Sequence, residues 1–141
     1  MALLEKQLEI KESTIPGAGM GLFAKQFIQK GTRIVEYTGR IRTWKEVEYE
    51  DNNYYIFFVT EDLVIDASRS RKSLARFIND ARGLQKVKGL NNNAQFVVDG
   101  FRVFVEAIKN IPAGTEIFLS YGKEYWQVIR TNLKIDAQSK I

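Results

Sequence analysis

Three short segments carry residues whose types and spacing could bind a ligand or support a reaction. The first is Pro16 to Ala24, in which glycines alternate at positions 17, 19 and 21. Alternating glycines let a backbone approach a ligand closely and present its N–H and C=O groups. A dinucleotide-binding loop would need a glycine at position 22 and a helix after it. Leu22 stands there, and the following residues have the pattern of a strand. Taken alone, the segment predicts either a cofactor loop or a plain tight turn.

The other two segments combine polar groups with apolar runs. Ala75 to Ala81 ends in Asn79 and Asp80, whose amide and carboxylate could hold a polar ligand. An Asx turn that closes a short helix would use the same residues. In residues 114–122, a predicted strand ends in Tyr121-Gly122 and places a phenol at the edge of a sheet. Tyrosines at strand ends are usually half-buried packing residues. Separately, none of these segments decides between binding and structure.

The composition excludes several kinds of catalysis. The chain has no cysteine and no histidine, which rules out disulfides, thiolate chemistry and a Ser-His-Asp triad. A metal site is not expected either, because carboxylates alone rarely build a zinc site. The formal net charge of +4 favours acidic partners. No basic stripe with interleaved aromatic residues is visible, so direct nucleic-acid binding is not expected.

Length and hydropathy predict one soluble domain. The 141 residues suit a single core, and 45% hydrophobic with 27% charged residues is typical of globular proteins. No apolar run approaches the roughly 20 residues that cross a bilayer. The first residues also lack the pattern of a secretory signal. We therefore expect an intracellular protein, cytoplasmic if the source is bacterial, that does not contact a membrane.

Short apolar stretches between turn signals predict a β-rich fold. Strands are expected at residues 8–10, 21–24, 33–37 and 116–120, and hairpins should join 54–60 to 63–65 and 96–98 to 101–105. Asp99-Gly100 suits the two-residue turn of the second hairpin. Helices are predicted at 43–50, where Thr43 and Glu46 match a capping box, and at 72–79 and 125–133. Residues 82–93 have the composition of a loop.

Two stretches of the chain are similar to each other. Ala24 to Tyr37 and Ala107 to Tyr121 both follow the pattern A-x-x-x-I-x-x-G-T-x-I, with a tyrosine shortly afterwards. They could be spatially related strand–turn–strand units, with Gly31 and Gly114 in the turns. Recurrent turn chemistry would explain the same pattern without any spatial relation.

The order of these motifs resembles that of the SET-domain lysine methyltransferases. The glycine loop, Glu-Tyr-Thr-Gly (36–39), Arg-Phe-Ile-Asn (76–79), Asn93-Ala94 and Tyr121-Gly122 follow one another over residues 9–126. The family's Arg-Phe-Ile-Asn-His-Ser signature reads here Arg-Phe-Ile-Asn-Asp-Ala, so Asp80 stands where the family has histidine. The resemblance implies a single SET domain over residues 1–141, with its core at about 9–126 and a C-terminal helix and tail at 123–141. Such a fold is mainly β, with small curved sheets, a pseudo-knot and a few short helices.

The resemblance also implies a cofactor and a site for it. The methyl donor would be S-adenosylmethionine, released as S-adenosylhomocysteine, with no metal. The implied cofactor-binding residues are Ala18, Gly19, Met20, Asn79, Asp80, Tyr121 and Trp126. Backbone groups of the glycine loop would hold the methionine part, and Asn79 and Asp80 the amino and adenine ends. Trp126 would help to cover the cofactor, and Asn93 would pin the knot near Asn79.

By the same resemblance, Tyr121 and Tyr37 are the catalytic residues, and Tyr37, Phe96 and Leu119 line a lysine channel. A lysine with an ordinary pKa near about 10.4 must lose its proton before it attacks a methyl group. An apolar aromatic channel beside a sulfonium charge disfavours the ammonium form, so no histidine base is required. Phe96 and Leu119 bring no extra hydroxyl to the channel, which favours di- or trimethylation.

The implied substrate is a lysine-containing protein or peptide, such as a histone or another basic protein. A homodimer could complete a peptide groove in a chain of this size. Two other interpretations stay open. One is a catalytically inactive SET-fold module that binds peptides or proteins, which Asp80 favours. The other is a small basic nucleic-acid binder, whose affinity should fall steeply with salt.

Overall fold

The computed structural model describes residues 3–47, 56–59, 63–66, 73–83 and 86–121. The strands in these ranges are β1 Leu8–Glu12, β2 Met20–Ala24, β3 Arg33–Glu36, β4 Arg40–Thr43, β5 Ile56–Phe58, β6 Leu63–Asp66, β7 Ala94–Asp99 and β8 Arg102–Ala107. Helical structure there is limited to α1, Trp44–Val47, and to 3-10 turns at Glu5–Gln7 and Leu74–Phe77. The predicted mainly β fold with a few short helices is confirmed.

The strands form three small antiparallel sheets, with the orders β1-β2, β3-β8-β7 and β4-β6-β5. The predicted hairpins are those of β5 with β6 and of β7 with β8. In the second hairpin Asp99 pairs with Arg102, so the turn is Gly100-Phe101. It therefore lies one residue later than the predicted Asp99-Gly100 turn. Gly100 has a φ of +63°, which suits the first central position of a two-residue turn.

The predicted strand at residues 116–120 forms isolated bridges instead of a continuous ladder. Glu116 bridges to Phe23, Phe118 to Asn79 and Leu119 to Ala94. Successive residues of this segment thus pair with three different parts of the chain. No single neighbouring strand runs beside the segment for long enough to build a ladder, and the segment connects the three parts.

The helix predicted at 43–50 begins where its capping box placed it. The backbone N–H and hydroxyl of Thr43 both donate to the Glu46 carboxylate at 3.0 Å, and the Glu46 N–H returns a bond of 3.3 Å to the Thr43 hydroxyl. These hydrogen bonds lower the pKa of the Glu46 carboxyl from its ordinary value. The prediction at 72–79 corresponds to the 3-10 turn Leu74–Phe77. Residues 48–50 and the helix predicted at 125–133 lie outside the described residues.

The two similar stretches of sequence pair with each other. The backbone hydrogen bonds between them are reciprocal, so that equivalent residues of the two stretches make equivalent bonds. The bonded positions are Ile28 with Ile111 (2.9 and 2.8 Å), Gly31 with Ala107 (2.7 Å) and Gly114 with Ala24 (2.7 Å). Both glycines have positive φ, +88° at Gly31 and +83° at Gly114. The repeat therefore marks two spatially related units, and recurrent turn chemistry alone does not account for it.

One main apolar core lies beneath the β1-β2 and β3-β8-β7 sheets and the 116–119 segment. Its members with no exposed surface come from all of these parts and are Leu22, Ile34, Val103, Val105, Ile111 and Ile117. The partly buried rings of Phe96 and Tyr121 pack against it. This core holds the segments that carry the candidate site in fixed relation to one another. Among the described residues, no helix has the length and apolar character needed to span a membrane.

Candidate active site

The predicted site residues converge on a junction of three segments, residues 78–82, 91–94 and 116–121. The 116–121 segment bonds to both of the others. The Leu119 N–H donates to the Asn79 carbonyl at 3.0 Å, and the N–H of Asn93 donates to the Phe118 carbonyl at 2.9 Å. The Asn93 side chain donates to the Glu116 carbonyl at 3.0 Å and accepts from the Phe118 N–H at 2.8 Å. Asn93, predicted to pin a knot here, thus contacts the segment that pairs with Asn79.

The glycine loop that precedes β2 presents an open face. Gly17 and Gly19 have φ values of +78° and +75°, and a Cβ built on either would meet no atom within 4 Å. The loop is held from inside, since Ser13 N–H donates to the Gly19 carbonyl at 2.8 Å. Ala18, Gly19 and Met20 are all exposed. An exposed loop that is hydrogen-bonded to Ser13 therefore lies where the cofactor loop was predicted.

Glu116 lies buried beneath this loop, with only 3% of its surface exposed. Its carboxylate accepts hydrogen bonds from the Ser13 hydroxyl (2.8 Å), from both the N–H and the hydroxyl of Thr14 (2.7 Å each), and from the Asn79 amide (3.3 Å). Gly21 packs directly against the same carboxylate, and a Cβ there would lie 2.8 Å from the Glu116 Cδ. Glu116 thus fixes the start of the glycine loop and needs glycine at position 21.

Asn79 connects the glycine loop to the junction. Its side-chain Nδ2 donates to the Met20 carbonyl at 3.1 Å as well as to Glu116. Its own backbone is held by the bond from Leu119. The amide predicted to bind the cofactor therefore lies against the loop predicted to bind it.

Asp80 follows Asn79 and has its carboxylate turned into the protein, with 6% of the residue exposed. One carboxylate oxygen accepts from the Arg82 N–H at 2.8 Å and from the Asn92 side-chain amide at 3.1 Å. The other oxygen accepts from the Tyr121 N–H at 2.9 Å. The Asn92 side chain also accepts from the Ala81 N–H at 2.9 Å. Asp80 is thus an internal connection between all three segments of the junction.

Tyr121 is held at both of its ends by the same neighbouring segment. Its N–H donates to Asp80, and its hydroxyl donates to the carbonyl of Ile78. The phenol is half-buried at the end of the 116–121 segment. Trp126, predicted to cover the cofactor, lies outside the described residues.

The predicted lysine channel has an aromatic wall. Tyr37 and Phe96 meet edge to face, with ring centroids 5.7 Å apart and an interplanar angle of 87°. Tyr37 is buried, Phe96 is half-buried, and Leu119 is 1% exposed and bridges to Ala94, two residues before Phe96. Phe96 thus contacts Tyr37, and the strand that carries Phe96 pairs with Leu119 at its first residue, Ala94.

Glu116 was predicted only as the first residue of a strand and not as a site residue. The signal that could have found it is a carboxylate next to the apolar run Ile117 to Leu119, since a buried charge requires donors. The hydroxyl pair Ser13 and Thr14, just before the glycine loop, supplies such donors. Gly21 was identified only as one of three alternating glycines. The structure separates it from the others, because it packs against Glu116 while Gly17 and Gly19 face open space.

The arrangement suits a cofactor that carries both a polar amino-acid end and a reactive alkyl group. The exposed loop at 18–20 brings backbone polar groups, and Asn79, whose Nδ2 donates to Met20 and Glu116, brings a side-chain oxygen beside the loop. The residues predicted for the lysine, Tyr37, Phe96 and Leu119, are aromatic or aliphatic. These polar groups are compatible with the amino-acid end of S-adenosylmethionine, and the Tyr121 hydroxyl is bonded to Ile78, the residue before Asn79.

Comparison with known proteins agrees with this arrangement. The SET domain family matches residues 19–122. The chain is 31% identical over 133 residues to the variant-silencing SET domain-containing protein of Plasmodium falciparum, covering 85% of this chain and 5% of that protein. It is 27% identical over 150 residues to the histone-lysine N-methyltransferase EZH2 of Chaetomium thermophilum, covering 95% of this chain and 9% of that protein.

The fold is also similar to that of a solved complex. The structure of a humanized mutant of the Chaetomium thermophilum Polycomb Repressive Complex 2 bound to the inhibitor GSK126 superposes with a TM-score of 0.69. Its identity to this chain is 28%, over 92% of this chain and 16% of that one. The chain spans less than a tenth of the two relatives named above. With its family motifs assembled at one junction, the chain belongs to the SET-domain family.

Proposed function

We propose that this chain is a protein-lysine N-methyltransferase that uses S-adenosylmethionine as its methyl donor. The observation that carries the proposal is the connection through residues 78 and 79. The Asn79 side chain contacts the glycine loop at Met20, and the Tyr121 hydroxyl bonds to the carbonyl of Ile78. The candidate cofactor loop and the candidate catalytic tyrosine are thus attached to adjacent residues.

When bound, S-adenosylmethionine supplies an electrophilic methyl group on a positively charged sulfur. Ala18, Gly19 and Met20 are exposed, and we assign the amino-acid end of the cofactor to this loop. The Gly19 carbonyl is already bonded to Ser13 and the Met20 carbonyl to Asn79, so the contacts would come from other backbone groups of the loop and from the Asn79 side-chain oxygen. Asp80 is assigned to the adenine end through its backbone, because its carboxylate is turned inward. Trp126 is proposed to cover the cofactor.

The apolar side of the site would prepare the lysine. Tyr37, Phe96 and Leu119 give the amine an environment in which the charged ammonium form is poorly solvated, so the neutral nucleophile is favoured. The Tyr121 hydroxyl commits its proton to the Ile78 carbonyl, which turns its oxygen into an acceptor facing the site. A fixed oxygen near the moving methyl group stabilises its developing positive charge without reorganisation. Alignment and electrostatics would then supply the catalysis without a histidine base.

The proposed substrate is a lysine-containing protein, which the aromatic residues Tyr37 and Phe96 and the names of the relatives support. A histone is the first candidate, since relatives of this chain are named histone-lysine N-methyltransferases, and another basic protein would meet the same chemistry. Phe96 and Leu119 leave the amine without an extra hydroxyl partner, so we propose di- or trimethylation. Mass spectrometry of the products would refute that part if only monomethyl-lysine formed.

The first test is calorimetric binding of S-adenosylmethionine to the purified chain. Asn79→Ala should weaken binding by tenfold or more, about 1.4 kcal/mol, because it removes the amide that joins the loop to the junction. Asn110→Ala is the matched control, since that exposed side chain only accepts from the Lys30 N–H at 2.9 Å. Equal binding by the Asn79 and Asn110 variants would remove Asn79 from the site.

The second test measures methyl transfer from labelled S-adenosylmethionine to purified core histones. Tyr121→Phe should lower turnover by roughly 100-fold, because it removes the oxygen assigned to the transferring methyl. Cofactor affinity should change little in this variant. Absence of cofactor binding by the unaltered chain would contradict the proposal and favour the inactive binding module instead.

A further inference from the structure

We propose that Asp80 is a positioning residue that holds Tyr121 in its working place. The importance of that place for methyl transfer rests on the proposed function, whereas the contact itself does not. The carboxylate accepts from the Tyr121 N–H at 2.9 Å, and its other oxygen is anchored to the Arg82 N–H and to Asn92. Asp80 therefore fixes the end of the 116–121 segment relative to the 78–82 segment.

All of these partners of Asp80 are donors. The N–H groups of Arg82 and Tyr121 belong to the backbone and cannot reverse. Asn92 could in principle turn its carboxamide, but its oxygen is committed to the Ala81 N–H at 2.9 Å. Its Nδ2 is therefore the group that faces Asp80. An ionised carboxylate is the side chain that only accepts, and bonds to it are stronger than neutral ones.

No neutral replacement satisfies this arrangement. An asparagine at position 80 would bring one oxygen and one NH₂ group, so at least one of the donors would face another donor. A neutral histidine has one acceptor nitrogen, and a protonated one has none. The structure therefore predicts that Asp80→His, the change towards the family signature, disrupts the contact with Tyr121.

Tyr121 has two attachments to the 78–80 segment, one at its amide and one at its hydroxyl. The amide bond to Asp80 fixes the backbone, and the hydroxyl bond to Ile78 fixes the ring. Loss of the first removes the hydrogen bond that fixes the backbone of Tyr121, while the bond at the hydroxyl stays. A displacement of about 1 Å at a reacting group can lower turnover by about 100-fold, so the amide attachment matters for the chemistry although it touches no substrate.

The test is NMR on the full chain, which needs no substrate. In the unaltered protein we expect a measurable coupling across the hydrogen bond from the Tyr121 amide nitrogen to the Asp80 Cγ. In Asp80→Asn, exchange of the Tyr121 amide hydrogen should rise about tenfold or more. Amides of Val103 and Val105 in the β7–β8 hairpin should change less than about threefold. Asp99→Asn, which alters an exposed carboxylate paired with Arg33 at 3.1 Å, should leave the Tyr121 amide unchanged.

Kinetics separate this role from a purely structural one. Asp80→Asn and Asp80→His should lower kcat for histone methylation by about tenfold or more, with cofactor affinity retained within about threefold. In a Tyr121→Phe background the same changes should add little, because they act through that residue. Absence of the coupling, an unchanged Tyr121 amide, or improved turnover in Asp80→His would each overturn the inference. None of these NMR results depends on whether the chain methylates lysine.

Discussion

Two buried carboxylates, Glu116 and Asp80, organise opposite sides of the candidate site. Glu116 is 3% exposed and Asp80 is 6% exposed, and each accepts several hydrogen bonds. Glu116 collects donors from Ser13 and Thr14, more than 100 positions away, with separations of 103 and 102 residues. The hydrogen-bond partners described above for Asp80 are closer along the chain, at separations of 2, 12 and 41 residues.

The difference shows how one fold supports two tasks with the same chemical group. Glu116 lies beneath the glycine loop, the candidate cofactor loop, where it binds Ser13 and Thr14 and packs against Gly21. Asp80 lies next to Tyr121, where its carboxylate accepts from the backbone N–H groups of Arg82 and Tyr121 and from the Asn92 side-chain amide. Both sides should therefore be sensitive to a change of the carboxylate from acceptor to donor, and the Glu116 side should in addition be sensitive to volume added at Gly21. Asn79 lies between them and contacts the Glu116 carboxylate.

The largest expected effect is that of Gly21→Ala. The new Cβ would lie 2.8 Å from the Glu116 Cδ, so the carboxylate must move and its hydrogen bonds to the loop and to Asn79 must change. We expect about 2 kcal/mol of lost stability in urea unfolding and at least about tenfold weaker cofactor binding by calorimetry.

Gly89→Ala is the control for this change. Gly89 has a φ of +88° and open space around it, so alanine there costs backbone strain without a clash. Stability should fall while cofactor affinity stays the same. If both variants lost cofactor affinity equally, the special role of the contact between Gly21 and Glu116 would be refuted.

Glu116→Gln should have the next largest effect. The amide group of glutamine would face donors on one side, including the Thr14 N–H or the Asn79 amide. A buried donor left without an acceptor costs about 2 kcal/mol, and the glycine loop should bind the cofactor more weakly. Urea unfolding and calorimetry measure the two consequences.

Glu9→Gln is the matched control, since Glu9 lies on an exposed position of β1. Its effect on stability should stay within about 0.5 kcal/mol. Exchange of the Tyr121 amide should also stay slow in Glu116→Gln. If exchange of the Tyr121 amide rose as much in Glu116→Gln as in Asp80→Asn, the two carboxylates would not have separate functions.

The smallest effect is expected for Glu46→Gln, far from both buried carboxylates. Its lowered pKa means that the ionised form stabilises the fold above the unfolded pKa, about 4.3, and that this contribution is lost as the pH falls through the folded value. The glutamine variant should be slightly less stable at neutral pH and equal to the parent in acid. A urea series over pH measures this, and a constant difference at all pH values would contradict it.

Much of the secondary structure was predictable because its causes are local. The capping box of Thr43 and Glu46 and the strands β1, β2 and β3 follow from neighbouring residues. The predicted turn of the second hairpin was wrong by one position. The register of the two strands pairs Asp99 with Arg102, so that Gly100 and Phe101 form the turn. The segment 116–121 was predicted as a strand, but its pairing partners are spread over three parts of the chain.

The candidate site was predictable as a set of motifs and not as a set of contacts. Asn79, Tyr121 and the glycine loop were identified from their order along the chain. The inward direction of the Asp80 carboxylate was not, since it depends on donors contributed by residues 92 and 121. The predicted interpretation of Asp80 as support for an inactive module is weakened by this geometry, because the carboxylate has a structural partner set of its own.

The sequence by itself determined the kind of chemistry that is available. Without cysteine or histidine, the chain must use phenol, amide, carboxylate and backbone groups, and the order of its motifs is that of one family. Only the tertiary structure decided which groups meet. It paired the two similar stretches of sequence, brought Ser13 and Thr14 to Glu116, and turned Asp80 towards Tyr121. The physical reason is that a buried charge needs hydrogen-bond donors within about 3 Å. Which donors lie that close depends on how the core packs, and the order of residues along the chain does not give it.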